Sequence, residues 1–169
     1  NHEKYLFFVR YMKYLLYKYK LEKKRTLNEL NLCYELERLA IQIAPEDFDI
    51  TISSAEANFL HYRFLESSPP NPETRNLTLS KMKRTEDLLE KAEKMRKEDS
   101  NLQRLFVLYS YDKLRSVKGR TILTYDMKKE SDALKDAIQR HAQSYLLYLP
   151  KSKTPDKETL SAIELSKSF

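Results

Sequence analysis

Glycine is almost absent from this sequence, in which Gly119 is the only one among 169 residues. Average usage in proteins is roughly 7%. Glycine supplies the positive φ angles of two-residue hairpins and of the loops that cradle phosphate groups. Both structures are therefore nearly excluded, and so are the nucleotide sites built on such loops. Charged residues at 33% and hydrophobic residues at 41% complete a mixture typical of a soluble helical protein.

Apolar residues at helical spacing predict an all-α bundle of about six helices followed by a short tail helix. The predicted main helices cover residues 3–24, 26–44, 54–67, 77–98, 101–118 and 125–149. Thr154 starts the tail helix as its N-cap. Two arrangements stay open: two packed three-helix units, or one larger bundle with a shared core. One continuous helix through residue 118 is the alternative to a break at 99–101.

A proline-rich segment divides the predicted helices into two halves. Three prolines fall within residues 69–72, and proline is poorly tolerated inside a helix. We therefore assign an N-terminal three-helix unit with a basic first helix to residues 1–68. Residues 69–76 form the boundary, and residues 77–169 form a C-terminal helical unit with the short tail helix.

The helix predicted over residues 26–44 is the one around which the others are expected to pack. Apolar side chains cover most of its surface, the pattern of a helix enclosed by its neighbours. Its polar side chains form one narrow stripe: Asn28, Asn31, Glu35, Arg38 and Gln42. Thr26 and Glu29 form a capping box that starts the helix, and Pro45 stops it. The lone Cys33 is expected to be buried there, and a single cysteine favours a reducing, intracellular compartment.

The starts and ends of the other helices follow from local signals. Residues 45–52 precede the third helix and are interpreted as a connector. Two further capping boxes start the third and fifth helices, at Ser53 with Glu56 and at Ser100 with Gln103. Gly119 comes directly after a run containing three cations, which is the usual ending of a helix.

The first helix combines an apolar face with the basic charge of the chain. Its apolar face consists of Tyr5, Phe8, Val9, Met12, Leu15, Leu16 and Tyr19. Residues 1–25 hold eight basic and two acidic side chains, which accounts for the whole net charge of +6. The candidate anion-binding residues are Arg10, Lys13, Lys20, Lys23, Lys24 and Arg25. The basic stripe is either a docking surface for acidic protein, phosphate or lipid headgroups, or a solvated face, and charged helix faces are usually solvated.

No combination of residues in the sequence predicts catalysis. His2, His61 and His141 are isolated, without the clustered His, Cys or carboxylate spacing of a metal site. His61 is interpreted as a histidine of the core or its boundary. No serine is flanked by glycines as in a nucleophile elbow. We therefore expect no enzyme, no cofactor, no bound metal and no small-molecule substrate.

The opening sequence YLFFVRYMKYLLYKYK is followed by a charged step and a second amphipathic helix. This arrangement resembles the helical hairpin that opens microtubule-interacting-and-trafficking domains. The resemblance covers roughly residues 1–45, and two such three-helix units would fill the chain. The first helix lacks the alanine-rich composition of that family, so we infer no membership from it.

The sequence favours a non-catalytic interaction module, an adaptor or scaffold, within a larger intracellular assembly. The expected mechanism is docking of a partner's amphipathic helix in a groove between two helices. Tyrosines outside the predicted apolar faces are the candidate lining residues, because tyrosine is enriched in binding hot spots. They are Tyr11, Tyr14, Tyr17, Tyr62 and Tyr111. The competing interpretation is that these tyrosines only cover the rim of the core.

Two alternative functions stay open. Nucleic acid or an anionic membrane surface would bind through the basic first helix, although the neutral balance of residues 26–169 argues against an extended duplex footprint. A lesser alternative is a secreted helical-bundle ligand, because Asn76, Leu77 and Thr78 match a glycosylation acceptor. The lack of cysteine pairs argues against secretion, and the sequence does not distinguish cytoplasm from nucleus.

Overall fold

The computed structural model describes residues 2–69, 71–119 and 124–169. Within these ranges the chain forms seven α-helices and no β-strand, which confirms the predicted all-α bundle. The helices are α1 (His2–Leu21), α2 (Asn28–Ile43), α3 (Phe48–Glu66), α4 (Pro72–Met95), α5 (Ser100–Lys118), α6 (Tyr125–Tyr148) and α7 (Lys157–Ser166). No helix in the described part of the chain is both long and apolar enough to cross a membrane.

The helices form two compact units, of which unit 1 spans residues 1–95 and unit 2 spans residues 96–169. The division therefore lies one helix later than the segment 69–76 to which the sequence assigns the boundary. Pro72 is the first residue of α4, a position where proline costs no helical hydrogen bond. Because α4 packs along α3, its charged sequence belongs to unit 1. The predicted break before residue 101 is present, since α4 ends at Met95.

In unit 1, α1 and α2 form an antiparallel pair, and α3 runs parallel to α1. Its core contains the apolar face predicted for α1, together with residues of α2 and α3. Met12, Leu30, Cys33, Ala40 and Ala57 are completely buried in this core. The Cys33 thiol lies 3.9 Å from the carbonyl oxygen of Met12, which fixes the level at which α1 and α2 cross.

Polar contacts join α1 to α3 along one side of unit 1. The Tyr5 hydroxyl donates a hydrogen bond to the carboxylate of Asp47. Two ion pairs follow along the helices, Lys13 to Asp49 at 3.6 Å and Lys20 to Glu56 at 2.6 Å. From the first ion pair to the second, the residue number increases by seven on each helix. The two helices therefore run in the same direction.

The enclosed helix of unit 1 is α3 and not α2, which corrects the prediction for residues 26–44. Only Leu30, Cys33, Leu36 and Ala40 of α2 are buried, and they form a single stripe. In α3, by contrast, every residue over the range 50–62 is buried. Small side chains such as Ser54 and Ala57 allow this close packing, and Asn58 satisfies its amide by donating to the Ser54 carbonyl at 2.8 Å.

Aspartates, rather than the predicted hydroxyl residues, cap three of the helices. Asp47, Asp99 and Asp156 start α3, α5 and α7, and each accepts a hydrogen bond from the N–H three residues later. The residue before α2 is Leu27, whose side chain makes no cap. The predicted starts at Thr26 with Glu29, Ser53 with Glu56, Ser100 with Gln103, and Thr154 are therefore wrong. Residues 48–52 belong to α3 and do not form a connector.

Unit 2 packs α6 and α7 against α5. The ring of His141 in α6 stacks on Phe106 of α5 with centroids 4.1 Å apart, and its Nδ1 lies 2.6 Å from Oε1 of Gln103. The Tyr145 hydroxyl accepts a hydrogen bond from the Asp156 N–H at 2.8 Å and so joins α6 to the start of α7. Gly119 ends α5 at the predicted place.

Candidate docking surface on the first two helices

The first helix carries an exposed aromatic row on the side opposite the core. The rings of Phe7 and Tyr11 stack with centroids 5.5 Å apart, and those of Tyr11 and Tyr14 stack at 6.3 Å. Phe7 is 58% exposed and Tyr14 is 55% exposed. The row therefore presents stacked aromatic rings to solvent at Phe7 and Tyr14, while Tyr11 between them is partly buried and packs against the core of unit 1.

Helical periodicity explains why α1 has two apolar sides. Phe7, Tyr11 and Tyr14 recur at i, i+4 and i+7, the spacing that keeps side chains on one face. Buried residues such as Met12 and Leu16 recur at the same spacing but about half a turn away. The exposed row continues toward the end of the helix with Leu21, which is 63% exposed.

The exposed edge of α2 continues this row. Lys18 of α1 pairs with Glu29 of α2 at 3.8 Å. Tyr14 lies one turn from Lys18, and Leu32 lies one turn from Glu29. Because α1 and α2 run antiparallel, these two turns extend in the same direction from the ion pair. Leu32 therefore lies beside Tyr14 at the surface, and the following turns of each helix lie side by side in the same way.

Three apolar side chains of α2 are exposed along this edge. We define the aromatic face as the set Phe7, Tyr11, Tyr14, Leu32, Leu39 and Ile43. The three aliphatic members recur at i, i+7 and i+11 and are each just over one third exposed. A shallow depression on the α1 side is lined by Glu3, Leu6, Phe7, Arg10, Tyr11 and Tyr14. Exposed apolar groups clustered in this way are typical of a surface that binds another molecule.

The charges beside the aromatic face differ between its two edges. Arg10 is exposed along the α1 edge, and Lys23 and Lys24 are exposed beyond the end of α1. On α2, Glu29 pairs with Lys18 at 3.8 Å and Glu35 pairs with Arg38 at 3.1 Å, so the charges of these pairs are neutralised. The other side chains of that edge are uncharged: Asn28, Asn31 and Gln42. Glu3 also lies along the α1 edge, near the start of the helix. The excess of basic charge on this edge therefore extends from Arg10 toward Lys23 and Lys24, whereas the α2 edge is neutral.

The five tyrosines proposed from the sequence do not all lie on this surface. Tyr11 and Tyr14 belong to the aromatic face, and Tyr17 is 60% exposed on the same outer side of α1. Tyr62 is buried in α3 at 3% exposure. Tyr111 is half-buried in unit 2, with its ring 6.0 Å from that of Phe169.

Phe7 and the aliphatic residues of α2 are not among the binding residues predicted from the sequence. Phe7 could have been recognised from its i, i+4, i+7 spacing with Tyr11 and Tyr14. Leu32 and Leu39 could not, because α2 was expected to be enclosed by its neighbours.

The candidate anion-binding residues have different surroundings. Lys13 and Lys20 pair with carboxylates of α3, as described above. The Arg25 guanidinium donates to the Lys20 carbonyl at 3.1 Å and lies 5.4 Å from the centre of the Tyr19 ring. The other three, Arg10, Lys23 and Lys24, have exposed side chains. Part of the basic charge of the first helix is therefore neutralised by carboxylates within unit 1.

The most strongly perturbed side chains of unit 1 lie where its helices pack: Tyr34 and His61 between α2 and α3, and Cys33 between α1 and α2. The Tyr34 hydroxyl lies 2.9 Å from Nδ1 of His61, and the Lys81 ammonium lies 4.1 Å from the centre of the Tyr34 ring. Burial, with a smaller contribution from Lys81, lowers the pKa of His61 to about 4. Burial likewise raises the pKa of the Cys33 thiol to about 12. His61 and Cys33 are therefore neutral at pH 7.

Metal-binding groups and relatives provide no further assignment. Over residues 2–69, 71–119 and 124–169, no three His, Cys, Asp or Glu side chains are grouped so that they could hold a metal ion. Comparison of the chain with family models, with curated proteins and with solved structures finds no match in any of the three.

Proposed function

We propose that this chain is a non-catalytic protein-interaction module whose partner docks on the aromatic face. The observation that carries the proposal is the stacked row of Phe7, Tyr11 and Tyr14, in which more than half of Phe7 and of Tyr14 is exposed. Two antiparallel helices with apolar residues along the line between them offer a groove in which a third helix packs. Tyrosine and phenylalanine are also enriched at the centres of protein interfaces.

The environments of the chemically reactive side chains support a binding role over a catalytic one. A general base works best when its pKa is near the working pH and when it lies within reach of the substrate. His61 and His141 are both buried, and burial holds the pKa of each at about 4. Cys33 is buried with its thiol pKa raised to about 12, the opposite of what a nucleophilic cysteine requires.

A nucleic-acid or anionic-surface function is the second candidate, supported by the exposed Lys23 and Lys24 at the end of α1. This candidate uses fewer cations than the sequence suggested, because Lys13 and Lys20 pair with α3. Each phosphate contact contributes about one unit to the salt dependence of binding. Binding through the remaining cations would therefore be weak and lost at moderate salt.

A photo-crosslinking experiment tests the proposed function. A benzophenone amino acid replaces Tyr14 in one version of the full chain and Tyr125 in the control, since Tyr125 is exposed on unit 2. Each version is irradiated in a lysate of the source cells at low and at high salt. We expect a discrete protein adduct at position 14 that persists at high salt and is absent from position 125.

A Phe7→Ser substitution should remove that adduct while leaving the helical content unchanged, because Phe7 lies outside the core. Adducts of equal intensity at both positions, or recovery of nucleic acid alone, would contradict the proposed function.

A further inference from the structure

We infer that the partner segment is an amphipathic helix with acidic residues along one flank and at one end. This inference rests on the proposed function and adds the chemistry of the partner to it. It follows from the two different edges of the aromatic face. A helix lying on the face would have one flank beside the basic α1 edge and the other beside the neutral α2 edge.

The α1 edge requires negative charge on the partner. Arg10 is exposed beside the stacked rings, and Lys23 and Lys24 are exposed beyond the end of α1. Charges at the rim of an interface act mainly on the rate of association and on the choice of partner. A carboxylate flank would face Arg10, and an acidic end would face Lys23 and Lys24.

The α2 edge requires no charge on the other flank of the partner. Glu35 already pairs with Arg38 at 3.1 Å, and the amides of Asn28, Asn31 and Gln42 accept or donate hydrogen bonds to polar groups of either kind. An acidic flank there would gain no opposite charge. The asymmetry therefore predicts which flank is acidic as well as the sign of its charge.

The charge and the shape of the aromatic face each disfavour one other occupant. A second copy of this chain would bring two basic first helices together, and like charges in proximity oppose association. An anionic bilayer is flat, whereas the apolar residues lie along the line between two helices.

Three synthetic helical peptides with one apolar stripe test the inference. The first carries glutamates along one flank and at its N-terminal end, the second glutamines at the same positions, and the third lysines. Binding to the full chain is measured by fluorescence anisotropy at 50 and 500 mM NaCl. The higher concentration shortens the Debye length by about a factor of three and so screens charges more strongly. Anionic phosphatidylserine vesicles and sedimentation of the chain alone are measured alongside.

We expect the glutamate peptide to bind about fivefold more tightly than the glutamine peptide at low salt, as one or two exposed ion pairs would give. The lysine peptide should bind most weakly, and the differences should shrink at high salt. Arg10→Gln should reduce the preference for glutamate, whereas Arg75→Gln, at an exposed position of α4, should leave it intact.

The outcomes separate this inference from the proposed function. Equal binding of the glutamate and glutamine peptides, lost in both cases by Phe7→Ser, overturns the acidic partner and leaves docking on the aromatic face in place. Peptide binding that Phe7→Ser does not weaken overturns both. Vesicle binding or self-association that Phe7→Ser abolishes, without binding of any peptide, assigns the face to a bilayer or to a second copy and also overturns both.

Discussion

His61 should make unit 1 less stable in mild acid, through a mechanism visible in its surroundings. Its Nδ1 faces the Tyr34 hydroxyl at 2.9 Å. Its Nε2 is buried without a hydrogen-bond partner in the described part of the chain. Protonation would place a charge on a ring that has one satisfied nitrogen, close to the Lys81 ammonium. The folded state therefore resists protonation of His61.

The size of the effect follows from the two pKa values. The pKa of His61 is about 4 in the folded state and has the ordinary histidine value of 6.5 in the unfolded state. Between these values the unfolded state holds more protons, so stability falls as the pH drops from about 6.5 toward 4. With about 1.4 kcal/mol for each pKa unit, unit 1 should lose about 2 kcal/mol between pH 7 and pH 4.5 through this group alone.

The assay is urea unfolding of the full chain at both pH values, followed by two-dimensional NMR so that each unit is observed through its own resonances. Carboxylates also respond to acid, so the comparison variant is His61→Gln, which cannot gain a proton. The stability advantage of the native chain over this variant should shrink by about 2 kcal/mol on acidification. An advantage that is the same at pH 7 and pH 4.5 would refute the reasoning, as would a directly titrated His61 pKa near 6.5.

Three further predictions concern stability and reactivity. Leu89→Ala should destabilise unit 1 by about 2–5 kcal/mol in thermal unfolding because Leu89 is fully buried, whereas Leu79→Ala, at an exposed site on the same helix, should change stability by less than about 0.5 kcal/mol. Asp99→Ala should cost about 1 kcal/mol by removing the cap of α5; if Ser100→Ala costs as much in the same chemical denaturation assay, Asp99 is not the dominant cap. Cys33 should resist a thiol reagent at pH 8 in the native chain and react once urea is added, because its pKa is about 12; rapid native labelling would show that α1 and α2 separate readily.

The sequence was sufficient for the fold class and insufficient for the choice of enclosed helix. Hydrophobic periodicity located the helices, and the apolar face of α1 was assigned correctly. The burial of α3 was missed because it depends on side-chain size more than on hydrophobicity. Ser54, Ala57 and Asn58 are buried because they are small or satisfy their polar groups within the helix. A pattern that counts apolar residues favours the leucine-rich α2, whose extra leucines are exposed.

The candidate surface was predictable only in part for a related reason. Tyr11 and Tyr14 are conspicuous because they fall outside the apolar face that the core requires. Leu32 and Leu39 look like core residues until the position of α1 beside α2 is known. Similarly, the chain gives no sign that Lys13 and Lys20 meet carboxylates that lie 36 residues further along it. Contacts between distant segments decide which cations are available, and local sequence patterns contain no such contacts.

The seven-residue spacing of the two ion pairs between α1 and α3 also determines the alignment of these helices. Sliding α1 forward by seven residues would bring Lys13 to Glu56 but Lys20 to Arg63, where two cations would meet. Sliding α1 backward by seven residues would bring Lys20 to Asp49 and place Lys13 ahead of the first residue of α3, without a partner there. Only the observed alignment pairs both lysines. Two ion pairs at equal spacing could in principle have allowed α1 to shift by seven residues along α3. Because only one alignment pairs both lysines, the spacing fixes the position of α1, and of the aromatic face, relative to α3.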